Sequence, residues 1–214
     1  MGLTSGSSLA VLLLSGWAAG CGTGAKAQPA LTPAAVAKAD AGRPPYTAAD
    51  VRFMSGMIGH HAQAVLMAGW APGHGASVAV RALCERIVVG QRDEIGLMQR
   101  WLLERNERVP AGDAAHDMMP GMGHSNLMPG MLTAEQLMEL DRARGSDFDR
   151  LFLTYMIRHH EGAVTMVDAL FSAQGAGQDE IIFKLASDIF ADQTTEIDRM
   201  SLMLGVLVPG RENQ

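Results

Sequence analysis

A pair of adjacent histidines occurs twice in this chain, 99 positions apart and in the same setting (His60-His61 and His159-His160). The first copy carries Phe53-Met54, Met57-Ile58, the histidines, Ala64 and Met67. The second carries Phe152-Leu153, Met156-Ile157, the histidines, Ala163 and Met166. A further match follows each copy. Gln91-x-x-Glu94-Ile95-x-x-Met98 corresponds to Gln193-x-x-Glu196-Ile197-x-x-Met200, displaced by 102 positions, so three residues separate the two spacings. Such a repeat constrains the fold strongly. Both halves must build the same unit, and a unit that cannot cover its apolar face alone covers it most simply with its copy.

Helical geometry gives the repeat a chemical meaning. At about 100° per residue, Met57, His60, His61, Ala64 and Met67 share an arc of roughly 120°. Imidazole is a borderline donor and thioether a soft one, a combination that suits copper, Cu(I) above all with Cu(II) possible, better than magnesium or calcium. A single Met stripe would be read as core filling. Duplication of the whole face instead makes His60, His61, His159, His160, Met57, Met67, Met156 and Met166 the candidate metal ligands. Glu94 and Glu196, with Gln91 and Gln193, are candidates to orient the imidazoles, since a carboxylate on one ring nitrogen fixes the tautomer. The competing reading is a buried Glu–His hydrogen bond with no metal.

Helix signals set the expected organisation. Thr47-x-x-Asp50 reads as an N-cap with an acidic partner, opening a helix to about Trp70 that stops at Pro72-Gly73-His74-Gly75. A second helix is expected from about Ser77 to Asn106, closing an antiparallel hairpin over 47–106. Thr133-x-x-Gln136 opens a short helix over 133–144, and Ser146-x-x-Asp149 reads as the cap of a long helix to about Ala173. Gly175 and Gly177 break the chain before a last helix to Leu204, giving a second hairpin over 146–204. The expected fold is all-α: an antiparallel four-helix bundle made of two repeated hairpins, related by a pseudo-two-fold axis.

The flanking segments differ in kind. Residues 1–20 read as a lipoprotein-type signal peptide, with an apolar stretch from Leu9 to Ala19 and then Ala18-Ala19-Gly20-Cys21. Cys21 is the candidate lipidation site. The first residues lack Lys and Arg, and Ala25-Lys26-Ala27 offers an ordinary cleavage site as the alternative. Residues 21–45, rich in Ala, Pro and Gly, read as a flexible tether. The expected location is therefore exported and membrane-anchored, on the periplasmic or cell-surface side, with the lipid as the only membrane contact. Cys84 then lacks an intramolecular partner, and its neighbours Leu83, Ile87 and Val88 favour burial over metal ligation. With a net charge of −6 and no Lys/Arg cluster, nothing points to a nucleic-acid partner.

Residues 107–132 hold His116, Met118, Met119, Met122, His124, Met128 and Met131 among prolines and glycines. Met normally enters cores. A stretch this poor in Leu, Ile and Val is not core, so these residues are candidate auxiliary donors that collect a soft metal; the alternative is a linker.

Met-Ile-x-His-His-x-x-Ala-x-x-Met, the Gln-x-x-Glu-Ile-x-x-Met pattern, and Met128-Pro129-Gly130-Met131 ahead of Phe148-Asp149-Arg150-Leu151-Phe152 together resemble the bacterial domain-of-unknown-function family 305 over about residues 46–205. The resemblance implies a ferritin-like helical bundle and copper binding through the four histidines and nearby Met, as in exported members of that family. The first copy has Ala62-Gln63 where the second has Glu161-Gly162, so the second should be nearer the family pattern. The function expected is non-catalytic: sequestering copper or handing it to a copper-exporting or copper-accepting protein. A di-iron oxidase would need Glu three residues before the histidines, where Met57, Ile58, Met156 and Ile157 stand. A purely structural or protein-interaction bundle is the other alternative.

Overall fold

The computed structural model describes residues 45–110 and 127–207, together with the isolated Gly2. They contain five helices and no strand: α1 Ala48–Gly69, α2 Val78–Glu104, α3 Ala134–Arg142, α4 Gly145–Ser172 and α5 Glu180–Leu207. Pairing follows the repeat. α1 packs along α2, α4 along α5, and α1 crosses α4 to join the two hairpins. The signal segment, most of the tether and residues 111–126 lie outside the described residues, as do Cys21, His116, Met118, Met119, Met122 and His124.

Two of the three expected caps form. The Thr47 hydroxyl accepts from the Ala49 and Asp50 amides while Asp50 accepts from the Thr47 amide, and Thr133 and Gln136 reciprocate in the same way. The expected Ser146 cap does not form. α4 starts two residues earlier behind Arg144, which provides no side-chain cap, and Gly145 takes a left-handed φ of +57° while its amide donates to the His74 carbonyl.

Asp149 has a different partner: its carboxylate accepts from the Ser77 amide, at the start of α2 in the other hairpin. The repeat explains why. Asp50 lies 99 positions before Asp149 and accepts from the Gly177 amide, at 2.7 Å, in the turn before α5. Each hairpin thus sends one buried aspartate across to the turn of its copy. Replacing Asp50 by Ala strands the Thr47 and Gly177 amides. The expected loss is about 1–3 kcal/mol, or a Tm drop of roughly 2–10 °C for a chain of this size, read by thermal melting.

The core is divided into two clusters. One holds Phe53, Met54, Met57, Met98, Ala163 and Ile182, with Met166 packed against it; the other holds Ala64, Met67, Leu83, Phe148, Phe152, Met156 and Met200. Repeat partners therefore sit in opposite clusters: Met57 and Met156, Met67 and Met166, Met98 and Met200. That exchange is what a pseudo-two-fold axis produces. Both α1 and α4 pass from one cluster to the other at their His-His pair.

Candidate metal centre

All four histidines of the repeat are fully buried. The rings of His60 and His159 meet across the α1–α4 crossing, centroid to centroid at 3.9 Å. His61 and His160 lie outside them, at 6.4 Å and 6.3 Å from their neighbours and with the same 56° tilt. Each outer imidazole donates from Nε2 to a carboxylate on the second helix of its own hairpin: His61 to Glu94 at 2.7 Å and His160 to Glu196 at 2.8 Å. The two pairs expected from the sequence are thus formed.

The inner pair breaks the symmetry. His60 donates from Nε2 to the Pro129 carbonyl at 2.9 Å, whereas neither ring nitrogen of His159 has a partner. The cause is the segment carrying Pro129, which occurs once in the chain and crosses both hairpins. Gln63 holds it on the α1 side by a two-way bond with the Leu132 backbone, accepting at 2.7 Å and donating at 3.1 Å. At the equivalent position on α4 stands Gly162, and there the segment presses onto the helix itself. A Cβ on Gly162 would lie 2.0 Å from the Pro129 carbonyl oxygen. Gly130, at φ +77°, meets the same helix from the other side. Gly162→Ala should therefore lift the segment, remove the His60 acceptor and cost at least about 1–3 kcal/mol, the range for overpacking. A melting curve checks the cost, and the His60 ring proton resonance checks the lost bond.

Tautomers follow from these partners. Carboxylate and carbonyl oxygens only accept here, so His60, His61 and His160 carry a proton on Nε2, and in the neutral ring the lone pair is on Nδ1. All four Nδ1 atoms are buried without a hydrogen-bond partner. Burial, reinforced by the neighbouring His61, lowers the His60 pKa to about 3. Burial, followed by the His60 charge, holds His159 well below the ordinary imidazole range. These two rings are neutral at physiological pH, the form that binds a metal. Among the described residues no three His, Cys, Asp or Glu side chains stand close enough together to form a ready-made metal cage. The arrangement suits an ion of low coordination number or one assisted by sulfur.

Sulfur is nearby on both sides. Met57, Met67 and Met156 are fully buried in the clusters flanking the histidine layer. Met166 and Met128 meet at Gly56, one turn before His60. A Cβ there would be 3.1 Å from the Met128 sulfur and 3.5 Å from the Met166 methyl. Met131 is buried just beyond. Gln91 and Gln193, expected to support the imidazoles, instead leave both Oε1 atoms unpartnered. Pro129, Gly130, Gly162 and Gln63 were not anticipated as site residues. The mismatch between Ala62-Gln63 and Glu161-Gly162 was their only trace in the repeat. Cys84 is buried in the apolar cluster, and burial, with Asp149 adding to it, pushes its thiol up to about 12, so it stays protonated.

The sequence profile described as Domain of unknown function (DUF305) matches residues 50–204, both hairpins and the segment between them. The chain belongs to the DUF305 family. Solved members of similar structure include a putative secreted DUF305 protein from Streptomyces coelicolor (26% identity, TM-score 0.63, covering 78% of this chain and 98% of that one). A DUF305 fragment from Deinococcus radiodurans is also similar (28% identity, TM-score 0.62, 76% and 99% covered). So is CopM in its Cu(II)-bound form (28% identity, TM-score 0.60, 74% and 97% covered). CopM has also been solved with Cu(I) and with silver. No curated protein matches this DUF305 chain.

Proposed function

We propose that this DUF305 chain is an exported copper-binding protein that sequesters the ion or hands it to a copper-exporting or copper-accepting protein. The ligands are drawn from His60, His61, His159 and His160, with the thioethers of Met57, Met67, Met156 and Met166. One observation carries the reading: three imidazoles give their Nε2–H to an outer oxygen and keep a buried Nδ1 without a partner, the arrangement by which proteins orient metal-binding histidines. Soft sulfur on both sides favours Cu(I), with Cu(II) possible, and CopM, a protein of the same fold, has been crystallised with both. His116, Met118, Met119, Met122, His124, Met128 and Met131 act as an auxiliary collector.

Titration of the mature chain with Cu(I), Ag(I), Zn(II) and Fe(II) tests this. Tight Cu(I) and Ag(I) binding with weak Zn(II) and Fe(II) binding is expected. Failure to bind Cu(I) or Ag(I) would leave a structural or protein-interaction bundle. No helix of the described residues is long and apolar enough to cross a membrane. Attachment is proposed through Cys21, because a multiply acylated Cys anchors stably. Cys21→Ala should then move the exported protein from the membrane fraction to the soluble one, and equal partitioning of both forms would remove the anchor.

A further inference from the structure

Of the eight side chains proposed to hold copper, seven are fully buried and Met166 alone is partly exposed. Its repeat partner Met67 is sealed in a cluster with Leu132, Leu137 and Leu140. The difference traces to α3 and the segment ahead of it, which occur once in the chain. On α4, Tyr155 donates to Glu139 and Arg158 donates to Gln136 at 2.8 Å, so α3 is fastened over that shoulder of the histidine layer. The α1 residues 99 positions earlier are Gly56 and Gly59. Their missing side chains leave room for Met128, whose sulfur lies 3.1 Å from where a Gly56 Cβ would stand and whose methyl lies 3.6 Å from that of Gly59. The Met166 methyl is 3.5 Å from the same Gly56 position, so two thioethers share this shoulder. Met166 also lines a cleft of about 240 Å³ between α1 and α4. Arg52 is the one charged residue on the cleft wall, so the cleft attracts an ion by sulfur and not by charge.

We propose that Cu(I) enters the histidine layer at this one shoulder, taken first by the thioethers of Met128 and Met166, while the matching shoulder under α3 stays shut. The proposal rests on the copper-binding reading and adds a direction to it. Thioether sulfur is a soft donor with no proton to lose, so it accepts Cu(I) at the surface without prior deprotonation. The next donors inward are close by. Gly59 adjoins His60, and Pro129, the residue after Met128, accepts from the His60 ring. The buried Nδ1 of His60 and both ring nitrogens of His159 have no partner, and the two rings stand 3.9 Å apart. Gly56 and Gly59 are positioning residues in this scheme: the side chains of their repeat partners, Tyr155 and Arg158, would displace Met128.

The test is the rate of loading, read by stopped flow as the copper-free mature chain takes Cu(I) from a chromogenic chelator. Leucine for methionine conserves volume and costs under about 1.5 kcal/mol of stability, so the variants stay folded. Met128→Leu and Met166→Leu should each slow association at least about tenfold. Met67→Leu removes the repeat partner of Met166, and with it one thioether ligand, yet should leave association within about twofold of wild type. Its loss should appear in the equilibrium affinity instead. A Met128→Leu chain that loads as fast as wild type, or a Met67→Leu chain as slow as Met166→Leu, would overturn the proposal and leave copper binding itself standing. A wild type that takes up no Cu(I) would overturn both.

Discussion

Acidifying the copper-free protein from pH 6 to pH 4 should remove about 2.5 kcal/mol of folding stability through one buried imidazole, and a second should add to the loss in the same direction. His60 and His159 are the source. Imidazole in an unfolded chain titrates near about 6.5. In the folded chain burial holds His60 at about 3 and His159 well below the ordinary range. Above the unfolded value both states are neutral, and the burial carries no pH penalty. As the pH falls below it, the unfolded chain takes up protons that the folded chain refuses, so stability decreases with decreasing pH. Each proton contributes about 1.4 kcal/mol per pH unit, and two give about 2.7. Domains are stable by only about 5–15 kcal/mol, so the loss is a large fraction of the total. Urea unfolding at several pH values should show the midpoint falling steeply below pH 6, and His159→Phe should reduce that slope by about half. A midpoint independent of pH over this range would mean that the folded protein admits the protons.

The repeat made the two hairpins and the two histidine faces legible, because helical periodicity is a local property and the displaced copy doubles the signal; that the faces meet as one layer did not show in it. It also put Glu94 and Glu196 in matching positions to face an imidazole, since equal spacings on equal units must meet equally; which imidazole each meets, His61 and His160, shows only in the folded chain. What stayed hidden was long-range. Asp149 lies three residues after Ser146, so local spacing suggested a cap, yet its acceptor role is played to Ser77 in the other hairpin. The same aspartate in the first copy, Asp50, does both jobs, capping its own helix and reaching Gly177. Pro129 and Gly130 read as loop residues because nothing local says that their backbone rests on Gly162. Only the missing side chain at that position, against Gln63 in the other copy, recorded the crossing.

His74 provides the internal control for the copper reading. It too is buried, but its ring is occupied: Nδ1 lies 2.8 Å from the Trp70 carbonyl, and Nε2 lies 2.9 Å and 3.0 Å from the Asp141 carbonyl and carboxylate. Those contacts tie the α1–α2 turn to the end of α3 and leave no nitrogen for a metal. His159 and His160 offer three unpartnered ring nitrogens between them. Competitive Cu(I) titration of the wild type, His159→Ala/His160→Ala and His74→Ala, each confirmed folded by circular dichroism, separates the two kinds of histidine. The double variant should bind at least about a hundredfold more weakly, since loss even of residues that merely support a ligand weakens a metal site by about 10- to 100-fold, and His74→Ala should bind like the wild type. A folded double variant that holds Cu(I) as tightly as the wild type would make the paired histidines core residues and contradict the account.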